Sequence, residues 1–222
     1  MEHKALNRVL VTSGPTREYI DSIRYFSNTS SGALGAKIVE ALINRDISVI
    51  HIYGLGSETP KVCNGQLLES VEVTTVDDLI HAIKDVAGSG NIPAVIHAMA
   101  VLDYVPEARL TTKKKSDEDF WNIRLIRTPK VIGIMRKLMP DAFFAAFKLE
   151  NGVTDEELVE KAGVLLNKYL LDIVIANDID RVNEKHHEAL FIGRENQILE
   201  RTFTKKEIAE KLADYVIMNC EL

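Results

Sequence analysis

Cysteine is scarce in this 222-residue chain: Cys63 and Cys220 lie far apart and in no ligand spacing. That excludes a disulfide framework and a structural zinc site, and reduced thiols are expected. No apolar run approaches the ~20 residues of a membrane-spanning helix, so no membrane partner is expected. No secretory leader is expected, because residues 1–4 pass quickly into a short strand pattern, and a cytoplasmic location is the expectation. Basic charge is in deficit, with 27 Lys and Arg against 33 Asp and Glu and a net charge of -6. The broad phosphate neutralisation that nucleic acid demands is therefore not supplied, although a local basic loop remains able to hold one nucleotide. Internal repeats and low-complexity tracts are absent too. What remains, 46% hydrophobic and 27% charged residues, describes one globular domain over residues 1–222 with enough chain to bury a core.

Arg8-Val-Leu-Val-Thr12 is a β-branched apolar run that breaks into Ser13-Gly14-Pro15-Thr16, the pattern of a buried strand ending in a turn. Leu34, Ile38, Ala41 and Leu42 then repeat at helical spacing, with Ser30 or Ser31 positioned to cap the helix. A strand returns over 48–53, so this stretch reads as a parallel crossover unit. The alternation continues with strand 71–74, helix 77–86, strand 94–98, helix 130–139, and strands 142–149 and 171–177. Thr154 with Glu157, and Thr204 with Glu207, match the capping-box spacing and start two further helices. Segments 189–192 and 198–201 pair as a hairpin around Glu195-Asn196-Gln197. The predicted fold is α/β, a single Rossmann-like domain whose mostly parallel open sheet carries helices on both faces and a C-terminal hairpin extension.

Six segments fall at the carboxyl ends of predicted strands or in the loops that follow, where doubly wound sheets bind ligands. The first runs from Gly14 to Gly35 and lacks the G-x-G-x-x-G fingerprint, since Pro15 follows Gly14 and the next glycines are Gly32 and Gly35. Tyr53-Gly54 also stands where an NAD site needs an acidic residue, which counts against an NAD-linked oxidoreductase. Arg17, Arg24, Asn28 and the hydroxyls of Ser27, Thr29, Ser30 and Ser31 suit a carboxylate or phosphate instead; the same serines and glycines also serve to cap and pack the helix. Second, the small residues from Ala98 onward let a planar ligand approach the backbone, and Asp103 is a candidate ribose or metal contact or a turn residue. His97 reads as a packed histidine. Third, Lys113-Lys114-Lys115-Ser116 is a mobile cationic loop or a solvated turn. Fourth, Thr128-Pro129-Lys130-Val131-Ile132 opens a helix with Pro129 at or near its first position and N–H groups free for an anion. Fifth, Phe147 is available to stack on a base and Lys148 to meet a phosphate. Ala176-Asn177-Asp178 is the sixth.

In this order the string Gly14-Pro-Thr-Arg-Glu-Tyr-Ile-Asp21, residues 24–32, Ala100-Val-Leu-Asp-Tyr104, the lysines 113–115, Thr128-Pro-Lys-Val-Ile132, Ala146-Phe-Lys-Leu-Glu150 and Ile175-Ala-Asn-Asp178 resembles phosphopantothenate–cysteine ligase of coenzyme A biosynthesis. The resemblance runs from about Arg8 to the C-terminal helix. It implies that CTP, with ATP as the alternative, activates the carboxylate of 4'-phosphopantothenate as an acyl-nucleotide and releases pyrophosphate. The amine of L-cysteine then forms the amide, giving 4'-phosphopantothenoylcysteine and CMP. By the same resemblance Asn28 and Lys113 are catalytic, Asn28 through an amide that both donates and accepts, Lys113 by closing on the triphosphate. Substrate contacts are implied for Arg17, Arg24, Ser27, Asn28, Ser30, Ser31 and Gly32. Nucleotide contacts are implied for Ala98, Asp103, Lys113, Lys115, Pro129, Lys130, Val131, Ile132, Phe147 and Lys168. Mg2+ is expected to arrive with the triphosphate rather than in a protein metal site, and the chain to form a homodimer. In many bacteria the ligase is fused behind a flavin-dependent decarboxylase; 222 residues leave no room for one, so a stand-alone enzyme without flavin is expected. Two departures stand out. Ser116 replaces the last lysine of the family's loop, and two nucleotide-contacting lysines fall near Leu165 and Tyr169, leaving Lys168, and less well Lys161, as substitutes. A non-catalytic binding protein that keeps this fold is the competing expectation.

Overall fold

The computed structural model describes residues 8–62 and 64–220, so the readings of residues 1–4 and of Cys63 lie outside the described residues. Strand β1 (Arg8–Ser13) leads into a small hairpin, β2 (Arg17–Tyr19) and β3 (Tyr25–Ser27), then helix α1 (Ala33–Ile43) and strands β4 (Ser48–Gly54) and β5 (Leu68–Val73). Helix α2 (Val76–Gly88) and strand β6 (Ala94–His97) precede a second small hairpin, β7 (Tyr104–Pro106) and β8 (Leu125–Arg127), and helix α3 (Val131–Leu138). The remaining elements are β9 (Phe143–Glu150), α4 (Asp155–Tyr169), β10 (Ile173–Asp178), β11 (Ala189–Ile192), β12 (Ile198–Thr202) and α5 (Lys205–Asn219).

Eight strands form one sheet in the order β5-β4-β1-β6-β9-β10-β11-β12. The first six pair parallel, and β11 and β12 add antiparallel. The predicted hairpin extension therefore widens the main sheet itself. Strand residues alternate between two cores, because successive side chains on a strand point to opposite faces. Leu10, Ile50, Val95 and Phe144 pack under α2, α3 and α4, while Val9, Val11, Val49 and Ile96 pack under α1 and α5. Burial on both faces is why these strands read as unbroken apolar runs.

The starts of α1 and α5 depart from expectation. Gly32, in the left-handed region at φ 78°, is the N-cap of α1, and Ser31 Oγ accepts only from Ala33 N (3.3 Å). Thr154 forms the predicted capping box. At Thr204 the hydroxyl accepts from Glu207 N, but the Glu207 carboxylate reaches back to Phe203 N. Strand β5 begins at Leu68, three residues earlier than the pattern suggests. Hairpins β2–β3 and β7–β8 were not foreseen, since three-residue strands are too short for a period of two to stand out from loop composition. Among the described residues, no helix is long and apolar enough to cross a membrane.

Candidate functional site

Strand order reverses between β1 and β6, with β4 and β5 on one side and β9 and β10 on the other. A doubly wound sheet opens its ligand crevice at that switch, beyond the strands' carboxyl ends. Past Ser13 and His97 the two segments stay zipped: Ala98 N donates to Thr12 O (2.9 Å), Ala100 N to Gly14 O (2.8 Å) and Thr16 N to Ala100 O (3.2 Å). The β2–β3 hairpin returns over this seam and delivers Asn28 to it. Asn28 Nδ2 donates to Ala100 O at 3.1 Å, which orients the amide and leaves its second N–H and its Oδ1 for a ligand. Ser27 is turned inward, its Oγ 3.2 Å from Thr16 O and 3.0 Å from Asn28 O, and braces the loop.

A cleft of about 540 Å³ lies beside Asn28. One side is built by Asn28, Ser30, Ser31, Gly32, the start of α1 and residues 98–100; Phe147 and Leu149 come from β9. Helix α1 has no acidic residue in its first turn, so its leading N–H groups favour an anion. A Cβ on Gly32 would lie 2.7 Å from Ser57 Cβ, so the position admits neither the bulk nor the handedness of another residue. At the end of β4, a Cβ on Gly54 would strike Pro15 O at 1.9 Å. Backbone thus fills the place where a dinucleotide-binding sheet carries its acidic ribose contact.

A smaller recess of about 210 Å³ shares Met99 and Phe147 with the first. Asp103, Pro129, Lys130, Val131, Ile132 and Leu165 line it. Lys130 Nζ donates to Asp103 at 2.6 Å. Thr128 ties the two loops, its N donating to Asp103 O (3.0 Å) and its Oγ1 to Leu102 O (2.7 Å). Helix α3 starts at Val131 with Lys130 as N-cap and no side-chain cap. Pro129 therefore stands just before the N-cap, near the helix's first position as expected, and the helix start stays open to an anion.

The structure thus gathers Asn28, Ser30, Ser31, Gly32, Ala98, Asp103, Pro129, Lys130, Val131, Ile132 and Phe147 around two adjoining compartments. Arg17, Arg24, Ser27, Lys113, Lys115 and Lys168 line neither. Arg24 pairs with Asp21 at 2.5 Å and faces the Trp121 ring at 5.9 Å, and Arg17 lies over the Tyr25 ring at 4.9 Å. Asp21, to which the sequence attached no role, is the hub of this corner. It accepts from Ile23 N and Arg24 N (both 2.8 Å), from the Arg24 guanidinium and from Lys114 N (3.2 Å). Burial by itself would raise its carboxyl, but these backbone N–H groups and the guanidinium outweigh it and hold the pKa at about 2. The lysine loop is therefore docked through its middle residue, and Lys113 and Lys115 stay exposed. Lys168 sits on the last turn of α4 with its ammonium 5.3 Å from the Tyr169 ring. Lys148 and Lys161 both pair with Glu150 at 2.7 Å, so neither is a free cation.

His97 Nδ1 and Thr12 Oγ1 lie 2.7 Å apart, as do His51 Nε2 and Ser13 Oγ. Burial pushes both imidazoles down to about 4, so these rings are neutral braces beside β1 at pH 7. Sequence reasoning missed Ile179, Val182, His187 and Lys205, which enter the larger cleft from the segment after β10 and the first residue of α5. No local motif marks them. Among the described residues, no group of three or more His, Cys, Asp or Glu side chains is arranged to hold a metal ion. A further cleft, of about 470 Å³, opens near Pro93, Pro140 and Cys220 at the amino-terminal edge of the sheet, away from the switch point.

The strand order defines a doubly wound α/β domain of the Rossmann type, with two adjoining compartments opening at its switch point. The family model described as DNA/pantothenate metabolism flavoprotein C-terminal domain matches residues 5–219. The chain belongs to this family. It is 34% identical over 209 residues to the coenzyme A biosynthesis bifunctional protein CoaBC of Thermococcus kodakarensis, covering 94% of this chain and 50% of that protein. With the protein of the same name from Methanocaldococcus jannaschii it shares 30% over 212 residues, again 50% of the relative. The chain spans about half the length of the curated relatives it matches. The crystal structure of the DNA/pantothenate metabolism flavoprotein from Streptococcus pneumoniae superposes with a TM-score of 0.86 at 30% identity, covering 96% of this chain and 99% of that one.

Proposed function

We propose that this chain is a phosphopantothenate–cysteine ligase. In this reading the carboxylate of 4'-phosphopantothenate attacks the α-phosphorus of CTP, with ATP as the competing nucleotide, and pyrophosphate leaves with the bonding pair. The cysteine amine then attacks the acyl carbon, the acyl–oxygen bond breaks, CMP departs and the proton from nitrogen passes to solvent. One observation carries the reading. Asn28 and the open start of α1 in one compartment adjoin the Asp103–Lys130 pair and the open start of α3 in the other, with Met99 and Phe147 common to both. Activation must bring two anions together, and each compartment offers one of them an N–H cradle beside an amide or a cation.

Asn28 holds the carboxylate and the acyl intermediate. Phe147 supports the base, and Lys113 with Lys115 supplies positive charge to the triphosphate from the docked loop. Mg2+ travels on the triphosphate: among the described residues Asp103 is the one carboxylate lining the smaller recess, a donor set that suits an ion held mainly by phosphates and water. The working form in this reading is a homodimer. Ile23, Tyr25, Tyr104, Leu125 and Ile126 stand exposed on the two hairpins, and two-stranded ribbons are marginal in water without a packing partner. A second copy of the chain supplies that cover.

The test is pyrophosphate release by the purified protein with Mg2+, 4'-phosphopantothenate and cysteine, run with CTP and with ATP and with each component omitted in turn. Sustained release that needs every component supports the ligase, and the faster nucleotide identifies the preference. No release with either nucleotide, from a folded dimer by sedimentation, refutes it in favour of a binding protein that keeps the fold.

A further inference from the structure

The larger cleft has a second side that activation chemistry does not use. Asn177 from the end of β10, His187 ahead of β11 and Lys205 at the start of α5 all line it. Three observations set these side chains apart. His187 Nδ1 is enclosed and makes no hydrogen bond, which leaves Nε2 as the ring nitrogen open to a ligand. A buried N–H without an acceptor is worse than a buried lone pair without a donor, so the proton belongs on Nε2 and the ring presents a donor. The ring is neutral at pH 7, because burial first, and then nearby Lys205 and His186, push it down to about 4. Lys205 has no ion pair or hydrogen bond with any described residue, whereas nearby Arg181 and Arg201 are tied to Asp155 and Glu188, and Lys211 to Glu200. Asn177 is buried to 6% exposure, yet its amide is bonded to no described residue.

One cation and one neutral N–H donor sum to a single positive charge. That matches a carboxylate better than a doubly charged phosphate. Asn177 adds a carbonyl acceptor for an amine, so the set reads a molecule carrying both groups.

We propose that His187, Lys205 and Asn177 form the subsite of the amino-acid acceptor, with Lys205 Nζ and His187 Nε2–H on its α-carboxylate and Asn177 toward its amine. The inference rests on the ligase reading. It places the nucleophile across the cleft from Asn28, where the acyl-nucleotide is held. The free amine forms the C–N bond as the acyl–oxygen bond breaks, the electron pair leaves with the nucleoside monophosphate, and one N–H proton is released to solvent.

The experiment compares the full-length wild type with Lys205→Met and His187→Leu, using cysteine and its decarboxylated analogue cysteamine as acceptors. For each variant the KM for cysteine should rise about tenfold or more, the equivalent of one lost charge-assisted contact, while the KM for 4'-phosphopantothenate holds. With cysteamine, which has no carboxylate to lose, Lys205→Met and wild type should be alike. An unchanged cysteine KM in both variants, or a rise confined to 4'-phosphopantothenate, overturns the subsite while leaving the ligase standing. A wild type that releases no pyrophosphate overturns the ligase reading and the subsite together. Circular dichroism confirms that each variant is folded, and the two variants sit on different elements, so loss of one fold does not remove the test.

Discussion

Asn28→Asp is expected to cripple turnover, and the structure sets the size of the effect. In the wild type Nδ2 donates to Ala100 O at 3.1 Å. A carboxylate has no donor, so the variant loses this anchor and sets oxygen against oxygen. It also places a full negative charge where an anionic carboxylate is to bind. Two unit charges about 4 Å apart repel by roughly 4 kcal/mol at an effective dielectric of about 20. At about 1.36 kcal/mol per decade, that is close to a thousandfold in kcat/KM. Asn28→Ala removes the amide without adding charge and should cost about 10- to 100-fold, the range of a hydrogen bond to a charged group. The assay is pyrophosphate release at subsaturating 4'-phosphopantothenate, with a thermal melt of each variant. Asn28 is exposed, so the melting temperature should hold. An aspartate variant within threefold of wild type removes Asn28 from the mechanism. An alanine variant as slow as the aspartate refutes the electrostatic part of the argument.

Other consequences are equally open to measurement. Gly35→Ala puts a Cβ 2.0 Å from Ser13 Cβ, which forces α1 away from β1 and should cost about 1–3 kcal/mol; a urea midpoint equal to wild type contradicts this. Asp21 titrates at about 2 in the folded protein against an ordinary 3.8, so the stability it contributes is complete above about pH 4 and drains away as pH falls toward about 2. Asp21→Asn should therefore be less stable than wild type at neutral pH, with the gap closing through that acid window in urea titrations, and a gap independent of pH is the contrary result. Lys113→Gln should slow formation of the acyl-nucleotide in single-turnover experiments and leave the melting temperature unchanged, because the side chain is exposed. Unaltered single-turnover kinetics count against its role on the triphosphate.

Legibility followed the range over which each signal acts. Strands such as β1 and β10 stood out because burial on both faces writes a continuous apolar run into a few neighbouring residues. The box at Thr154 was plain because its partners lie within one helical turn. Asp21 escaped notice because its fourth donor, Lys114 N, comes from a loop far along the chain. Lys148 looked like a free phosphate contact until Glu150 was seen to hold both it and Lys161. The exact start of α3 at Val131 was a matter of backbone geometry at Lys130, which composition does not report.

The order of the main-sheet strands and the helices, the absence of a dinucleotide fingerprint and the motifs that carry the family resemblance were determined by the sequence itself, since each rests on periodicity, capping or turn chemistry among near neighbours. Only the tertiary structure decided that Asn28, Phe147 and His187 share one cleft, and that Asp103 meets Lys130 in the recess beside it. Those meetings depend on which strand lies next to which in the sheet. The reversal between β1 and β6 is settled by packing across the whole core, and no local pattern encodes it.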